Sequence, residues 1–96
     1  MPKGYIVVTE DIKDPEGFKT YMGEAAKAMD ESVKILSFDP GPEVLEGNWH
    51  GPQTILMEFE SVDAARDWYN SDLYQNAAKL RQAAADCNVA IISGIG

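Results

Sequence analysis

Two successive segments with the same order of strand-like and helix-like residues fill almost the whole chain, and this repetition constrains the fold more than any other feature. Each begins with a β-branched and aromatic run, at residues 5–9 and 53–59, of the kind that forms buried strands. A helix cap follows each run, with Asp14 and Pro15 in the first half and Ser61 in the second. The two halves are not a sequence repeat. Residues 1–96 are therefore predicted to form one domain that contains two β-α-β units.

The remaining elements follow from residue spacing. Apolar residues three or four positions apart predict a helix of about four turns after Pro15 and a second helix after Ser61, interrupted at residues 70–72. Asp72 with Gln75 resembles a capping box that begins a further helical segment. Strands are predicted at residues 33–38 and 88–93, with a short edge strand at 43–47, and a polar stretch starting at Glu10 is expected to end the first strand. Each predicted helix has an apolar face that is expected to be buried. These faces are Phe18, Tyr21, Met22, Ala25 and Met29 in the helix after Pro15, Val62, Ala65 and Tyr69 in the helix after Ser61, and Leu73, Ala77, Leu80 and Ala84 in the last helical segment.

This element order predicts an α+β, ferredoxin-like split-βαβ domain, with a four-stranded antiparallel sheet and the helices on one face. Alternation in the strand at 53–59 directs Ile55, Met57 and Phe59 to the helices and leaves the intervening residues on the uncovered face. In the first strand, either the odd-numbered or the even-numbered residues join that uncovered face. Both sets are too apolar to stay in water, and a second copy can cover them through a symmetric contact. We expect a homodimer.

Composition excludes several classes of partner and location. Sixteen acidic residues face eight basic ones, for a net charge of −8, and no basic stripe is available for nucleic acid or an anionic membrane. No apolar run approaches the ~20 residues of a membrane-spanning helix. The N-terminal residues lack a signal-peptide pattern, and Cys87 is the only cysteine, so no intrachain disulfide can form. A cytoplasmic location is expected.

Several short segments resemble one family, called domain of unknown function 1330. The most specific are Leu-Glu-Gly-x-Trp at residues 45–49 and Trp-Tyr-x-Ser-x-x-Tyr at residues 68–74. The other matching segments, in colinear order, are Gly4-Tyr5, Glu58-Phe59-Glu60-Ser61, Leu80-Arg81-Gln82 and the closing Gly94. The resemblance implies a dimeric α/β barrel, in which two ferredoxin-like subunits pack their sheets face to face. It implies no activity, although the superfamily includes cofactor-independent monooxygenases, lactone isomerases and haem-handling enzymes.

The chain departs from the family's pattern at residues 29–34. Met-Asp-Glu-Ser-Val-Lys stands there in place of a glycine-rich turn followed by an arginine. No ligand role is therefore carried over to this turn.

Seven residues are candidates for ligand binding, and none is assigned as catalytic. His50 is the only histidine, so it is either a proton carrier or haem ligand at a pocket mouth or an exposed loop residue. Glu58 has three interpretations: a general base whose pKa dimerisation raises, a member of an ion pair with Arg81 or a partner-subunit lysine, or a strand-end glutamate in solvent. Arg81 either holds a substrate carboxylate or forms a structural salt bridge. The full set is Tyr5, Trp49, His50, Glu58, Trp68, Tyr74 and Arg81.

The aromatic residues also have two interpretations, as the lining of a pocket for a planar ligand or as packing. Tyr69 lies on the predicted core stripe, whereas Trp68 and Tyr74 lie off it and are expected to contact the partner subunit. Cys87, next to Asp86, is expected to be a buried, inert thiol. No metal-ligand spacing occurs, so neither a metal nor a cofactor is predicted.

Two functional hypotheses follow. In the first, the dimer encloses an apolar pocket that binds, and in one version transforms without a metal, a small organic molecule. Its polar lining would be Tyr5, Trp49, His50, Glu58 and Arg81. In the second, the protein is a non-catalytic accessory or binding dimer, and the same residues serve packing. A cavity of ~300 Å³ or more with converging polar groups would favour the first hypothesis.

Overall fold

The computed structural model describes residues 2–96, which form a four-stranded antiparallel sheet of strand order β2-β3-β1-β4 with three helices against one face. This is the predicted α+β, ferredoxin-like arrangement. No helix in residues 2–96 is long and apolar enough to cross a membrane. The elements are β1 (Gly4–Ile12), α1 (Pro15–Ala26), β2 (Lys34–Asp39), β3 (Gln53–Phe59), α2 (Val62–Tyr69), α3 (Asp72–Ala84) and β4 (Ala85–Ser93).

Side-chain caps begin each helix. The Asp14 carboxylate accepts a hydrogen bond from the Gly17 amide, and Ser61 accepts one from Ala64, as the sequence predicts. The capping box predicted from Asp72 is wrong. Ser71 caps α3, and Asp72 is the first residue of the helix.

The predicted alternation in the strand at residues 53–59 is confirmed. The structure also decides which residues of the first strand face the helices. Ile6 and Val8 are buried beneath the helices with Met57 and Phe59 of β3. The pairing of the strands identifies the residues on the opposite face of the sheet, because Tyr5 pairs with Glu58 and Val7 pairs with Leu56. The open face is the sheet surface away from the helices, formed by Tyr5, Val7, Thr9, Lys34, Ser37, Asp39, Thr54, Leu56, Glu58, Asn88, Ala90 and Ile92.

Several predicted boundaries are wrong. β1 does not end at Glu10 but continues to Ile12, because β4 pairs along its whole length. β4 accordingly starts at Ala85, three residues before the predicted start at residue 88, and includes Cys87. α1 ends at Ala26, short of Met29, and residues 43–47 form a loop instead of an edge strand.

The buried sides of α2 and α3 also differ from the predicted stripes. Trp68 and Tyr74, expected off the core, are 8% and 3% exposed, whereas Leu73 and Leu80 face solvent. Trp68 is held inside by its indole N–H, which donates to the Ala28 carbonyl at 2.9 Å, and by its ring contact with Tyr74 at 4.2 Å between centroids. The face of α3 that contacts α1 carries small alanines, which allow the two helices to pack closely. Leu73 and Leu80 lie outside this contact.

Candidate functional site

A cleft of about 200 Å³ lies between α1 and the helix-covered face of the sheet. Its walls are almost entirely apolar, with Ala25 and Met29 on the α1 side and Ile55 and Met57 on the sheet. The rim consists of Met22, Ile35 and Phe38, whose exposed fractions are 47%, 51% and 47%. Large apolar side chains exposed around a depression are typical of a surface that receives a ligand.

Glu10 is the only charged residue that lines this cleft, and it is completely buried. It follows Ile6 and Val8 on the helix-covered side of β1. Its Oε1 accepts a hydrogen bond from Gln53 Nε2 at 2.7 Å, whereas its Oε2 has no partner in residues 2–96. Burial raises the pKa of the Glu10 carboxyl, against the opposing effects of the Gln53 bond and the Arg81 charge. The wall of the cleft therefore contains a carboxyl group that binds its proton more tightly than an exposed glutamate does.

A polar cluster lies behind this wall. The hydroxyls of Tyr21 and Tyr74 share a hydrogen bond of 2.9 Å, and Tyr21 lines the cleft. Arg81 is 3% exposed, and its Nε has no partner among the described residues. Burial opposes the charge of Arg81, but the neighbouring Cys87 and Tyr74 side chains hold its pKa above the ordinary value. A guanidinium charge is thus kept inside the domain near Glu10, without an ion pair between them.

The tyrosine and cysteine of this cluster are poor acids. Burial raises the pKa of Tyr21, and its neighbour Tyr74 raises it further. Burial also raises the pKa of the Cys87 thiol, although Arg81 acts in the opposite direction. Cys87 therefore lacks the stabilised thiolate of a reactive cysteine, in agreement with the expected inert thiol.

Four of the seven candidate residues lie on the other side of the sheet. Tyr5 and Glu58 are cross-strand neighbours there, and the pKa of Tyr5 is raised, first by burial and then by Glu58. At the opposite end, the Trp49 indole N–H donates to Thr54 Oγ1 at 2.9 Å, and His50 Nδ1 lies 2.8 Å from Thr9 Oγ1. The loop that carries Trp49 and His50 is thus attached to the end of the open face.

The sheet separates these four residues from Trp68, Tyr74 and Arg81. Trp68 lines the cleft, Tyr74 and Arg81 lie behind it, and the other four residues face away. The predicted joint lining by Arg81 and the open-face residues is therefore wrong, as is an ion pair between Arg81 and Glu58. β3 carries Glu58 on the surface that the helices leave uncovered, whereas Arg81 is on a helix.

Sequence reasoning missed Glu10, Gln53 and Tyr21 as a group. A signal was present for Glu10, because the two-residue period through Ile6 and Val8 continues to it. No spacing rule could have placed Tyr21, on a helix, beside the same cleft. Residues 2–96 contain no group of three histidine, cysteine, aspartate or glutamate side chains arranged to hold a metal ion.

Solved structures with this fold include proteins of unknown function and an enzyme. A protein of unknown function from Rhodopseudomonas palustris is 17% identical, with a TM-score of 0.78 over 99% of this chain and 84% of the other. A dimeric ferredoxin-like protein of unknown function from Thermobifida fusca is 12% identical, with a TM-score of 0.66 over 96% and 91%. SnoaB, a cofactor-independent oxygenase from Streptomyces nogalater, is 10% identical, with a TM-score of 0.67 over 100% and 96%. At these identities the likeness shows the fold alone.

Sequence comparison identifies the family. None of the curated protein sequences matches this chain. The sequence model of the family described as domain of unknown function, DUF1330, matches residues 3–95. The chain belongs to this family.

Proposed function

We propose that this member of the DUF1330 family binds a small, largely apolar organic molecule in the cleft between α1 and the sheet, with Glu10 as its polar anchor. One observation carries the proposal. Glu10 is a fully buried carboxyl group at an apolar cleft, and one of its oxygens has no hydrogen-bond partner among the described residues. A buried polar atom left without a partner costs on the order of 1–3 kcal/mol, and a donor group on a ligand would remove that cost.

The size and lining of the cleft define the class of ligand. An apolar cavity of about 150 Å³ accepts benzene, so about 200 Å³ suits one substituted ring or two small fused rings. The apolar walls favour the ring, and Glu10 Oε2 favours a hydroxyl or amine directed at it. At about 200 Å³ the cleft is below the ~300 Å³ set as the criterion for a pocket enclosed by the dimer, and it lies under the helices and not between the sheets. The ligand is therefore limited to such small molecules.

A homodimer formed through the open face belongs to the same proposal. Val7, Leu56 and Ile92 place apolar surface in the middle of that face, and similar folds include proteins described as dimeric. The cleft lies on the opposite side of the sheet, so dimerisation leaves its mouth accessible. Tyr5, Trp49, His50 and Glu58 would then belong to the interface or its edge. The single cysteine supports a reducing, cytoplasmic location.

The second candidate is a non-catalytic accessory dimer with no ligand. It is favoured by the side-chain hydrogen bonds at the end of the open face, where Trp49 donates to Thr54 and His50 lies within hydrogen-bond distance of Thr9. Polar groups that satisfy one another need no ligand, and in this case the cleft would be a packing defect.

Binding of two simple probes separates these candidates. Phenol and toluene have the same ring and nearly the same size, but only phenol has a hydroxyl that can donate to Glu10 Oε2. We expect phenol to shift the NMR signals of the Met29 and Met57 methyl groups and to bind roughly tenfold more tightly than toluene.

Matched glutamine variants provide the control for this experiment. Glu10→Gln should reduce the preference for phenol, and Glu58→Gln, the same change on the open face, should leave it intact. If neither probe shifts the methyl signals at millimolar concentration, the ligand-binding proposal is wrong and the accessory role is favoured.

A further inference from the structure

We infer that the cleft is a proton-transfer site, in which the Glu10 carboxylate removes a proton from a weakly acidic C–H bond of a small carbonyl or heteroaromatic compound. The inference rests on the ligand site proposed above, because the compound must occupy that cleft. It adds an activity and a role for one residue. Glu10 acts as the base, and no metal or cofactor is required for the step.

The position of Glu10 suits this role. Gln53 holds Oε1 at 2.7 Å and so fixes the plane of the carboxyl group, leaving Oε2 as the free basic atom. The backbone of Glu10 lies between two neighbouring strands, where Glu10 pairs with Gln53 of β3 and Cys87 of β4. A base that is already oriented loses little entropy when it meets its substrate.

The surroundings make this carboxylate more basic than one in water. Apolar walls remove the solvent that would stabilise its charge, and burial accordingly raises the pKa of Glu10. The titratable and polar groups around it come from every neighbouring element: Arg81 and Tyr74 from α3, Tyr21 from α1, Cys87 from β4 and Gln53 from β3. The positive charge of Arg81 opposes the effect of burial and limits the rise in the pKa of Glu10. A larger fraction of Glu10 is therefore ionised near neutral pH than burial alone would allow.

Tyr21 supplies the complementary donor. Its hydroxyl and that of Tyr74 share one hydrogen bond, and with Tyr74 as the donor in that bond the O–H of Tyr21 is free to donate to a substrate. The raised pKa of Tyr21 keeps it protonated. In the step, the C–H bond breaks, an O–H bond forms on Glu10, and the electron pair moves to the substrate's carbonyl oxygen, where Tyr21 donates. Return of the proton from Glu10 to another atom of the enolate completes an isomerisation without any co-reactant.

A nitro-substituted benzisoxazole tests the base without knowledge of the natural substrate. Removal of the C–H proton of its isoxazole ring breaks the N–O bond and opens that ring to a coloured cyanonitrophenolate. Glu10 takes up the proton and passes it to solvent, so the step needs no co-reactant. Its two fused rings match the size of the cleft. We expect the protein to accelerate this elimination, Glu10→Gln to lower the rate on the order of 100-fold, and Glu58→Gln to leave it unchanged. The rate of the unmodified protein should increase with pH through an apparent pKa above that of an ordinary glutamate.

The outcomes distinguish the inference from the ligand proposal. If phenol binds in the cleft but the elimination is no faster than with Glu10→Gln, the proton-transfer inference is wrong and the binding site remains. If phenol does not bind and no elimination occurs, both are wrong. If Glu58→Gln removes the activity instead, the base lies on the open face and the inference fails. Should Glu10→Gln not fold, competitive inhibition of the unmodified protein by phenol supports the inference, and absence of inhibition contradicts it.

Discussion

At the scale of single residues, the unusual feature is a pair of buried charges that do not touch. The ion pairs within residues 2–96 are Lys13–Asp11, Lys27–Glu24 and Arg66–Asp63, all at the surface, where such pairs contribute little to stability. Glu10 and Arg81 are buried and each retains an atom without a partner. Burying a charge without full hydrogen bonding destabilises a fold, so stability alone does not explain the position of these two residues.

The stability of Glu10→Gln tests this explanation. Because the pKa of Glu10 is raised in the folded protein, the folded form binds more protons than the unfolded chain between the two pKa values. The free energy of unfolding therefore falls as the pH rises through that interval and stays lower above it. Glutamine lacks this dependence, so the variant should gain relative stability towards neutral pH, by on the order of 1 kcal/mol.

Urea denaturation at several pH values from acid to neutral measures the effect, with Glu58→Gln as the control. A stability difference between the variant and the unmodified protein that does not move in favour of the variant from acid to neutral pH would contradict the prediction. Such a result would mean that attraction to Arg81 outweighs the burial of the carboxylate.

At the scale of elements, sequence patterns predicted what depends on neighbours along the chain. The alternation of Ile55, Met57 and Phe59 and the caps Asp14 and Ser61 are local properties, and the structure confirms them. The end of β1 was mispredicted because Glu10 is polar, yet a polar residue can continue a buried strand when a distant side chain, here Gln53, bonds to it.

The buried face of α3 depends on a different kind of information. The predicted stripe is right for Ala77 and Ala84, which are buried, and wrong for Leu73 and Leu80, which are exposed. The helix buries Ala78 and Arg81 in their place. Close packing against α1 requires small side chains at the contact, and nothing in the sequence of α3 identifies α1 as its neighbour. For the same reason the cleft could not be predicted, since its residues come from strands and helices that are distant in sequence.

Two glycines test how tightly the elements are packed. A Cβ on Gly4 of β1 would overlap the Ser61 carbonyl oxygen and lie 2.6 Å from the Val62 amide nitrogen, both backbone atoms at the start of α2. Gly4→Ala should therefore destabilise the protein by about 1–3 kcal/mol. Gly23 of α1 is exposed, with nothing within 4 Å of an added Cβ, so Gly23→Ala should stabilise it by about 0.5–1 kcal/mol.

The melting temperatures of the two variants compare the same added methyl group at a crowded position, Gly4, and at an open one, Gly23. A Gly4→Ala variant that melts at or above the temperature of the unmodified protein would show that α2 is not packed directly against the start of β1.

At the scale of the whole molecule, the sheet divides the protein into an open face and a helix-covered layer. The Cα atoms span 38 × 36 × 16 Å, the dimensions of a thin two-layer plate. Such a shape leaves one full side of the sheet in solvent, including the side chains of Val7, Leu56 and Ile92. The cleft and Glu10 occupy the other layer, so assembly and ligand binding are expected to be separable.

That separation can be tested by one charged substitution on each layer. Leu56 lies in the middle of the open face, and Leu73, 51% exposed, lies on the helix side. Native mass spectrometry at neutral pH and micromolar concentration should give about twice 10.5 kDa for the unmodified protein and for Leu73→Glu, but 10.5 kDa for Leu56→Glu, because a buried, unpaired carboxylate would oppose the contact. The Leu56→Glu monomer, if its circular dichroism is unchanged, should still prefer phenol to toluene. A monomeric unmodified protein would overturn the dimer, and loss of phenol binding in the folded monomer would show that the cleft depends on the partner subunit.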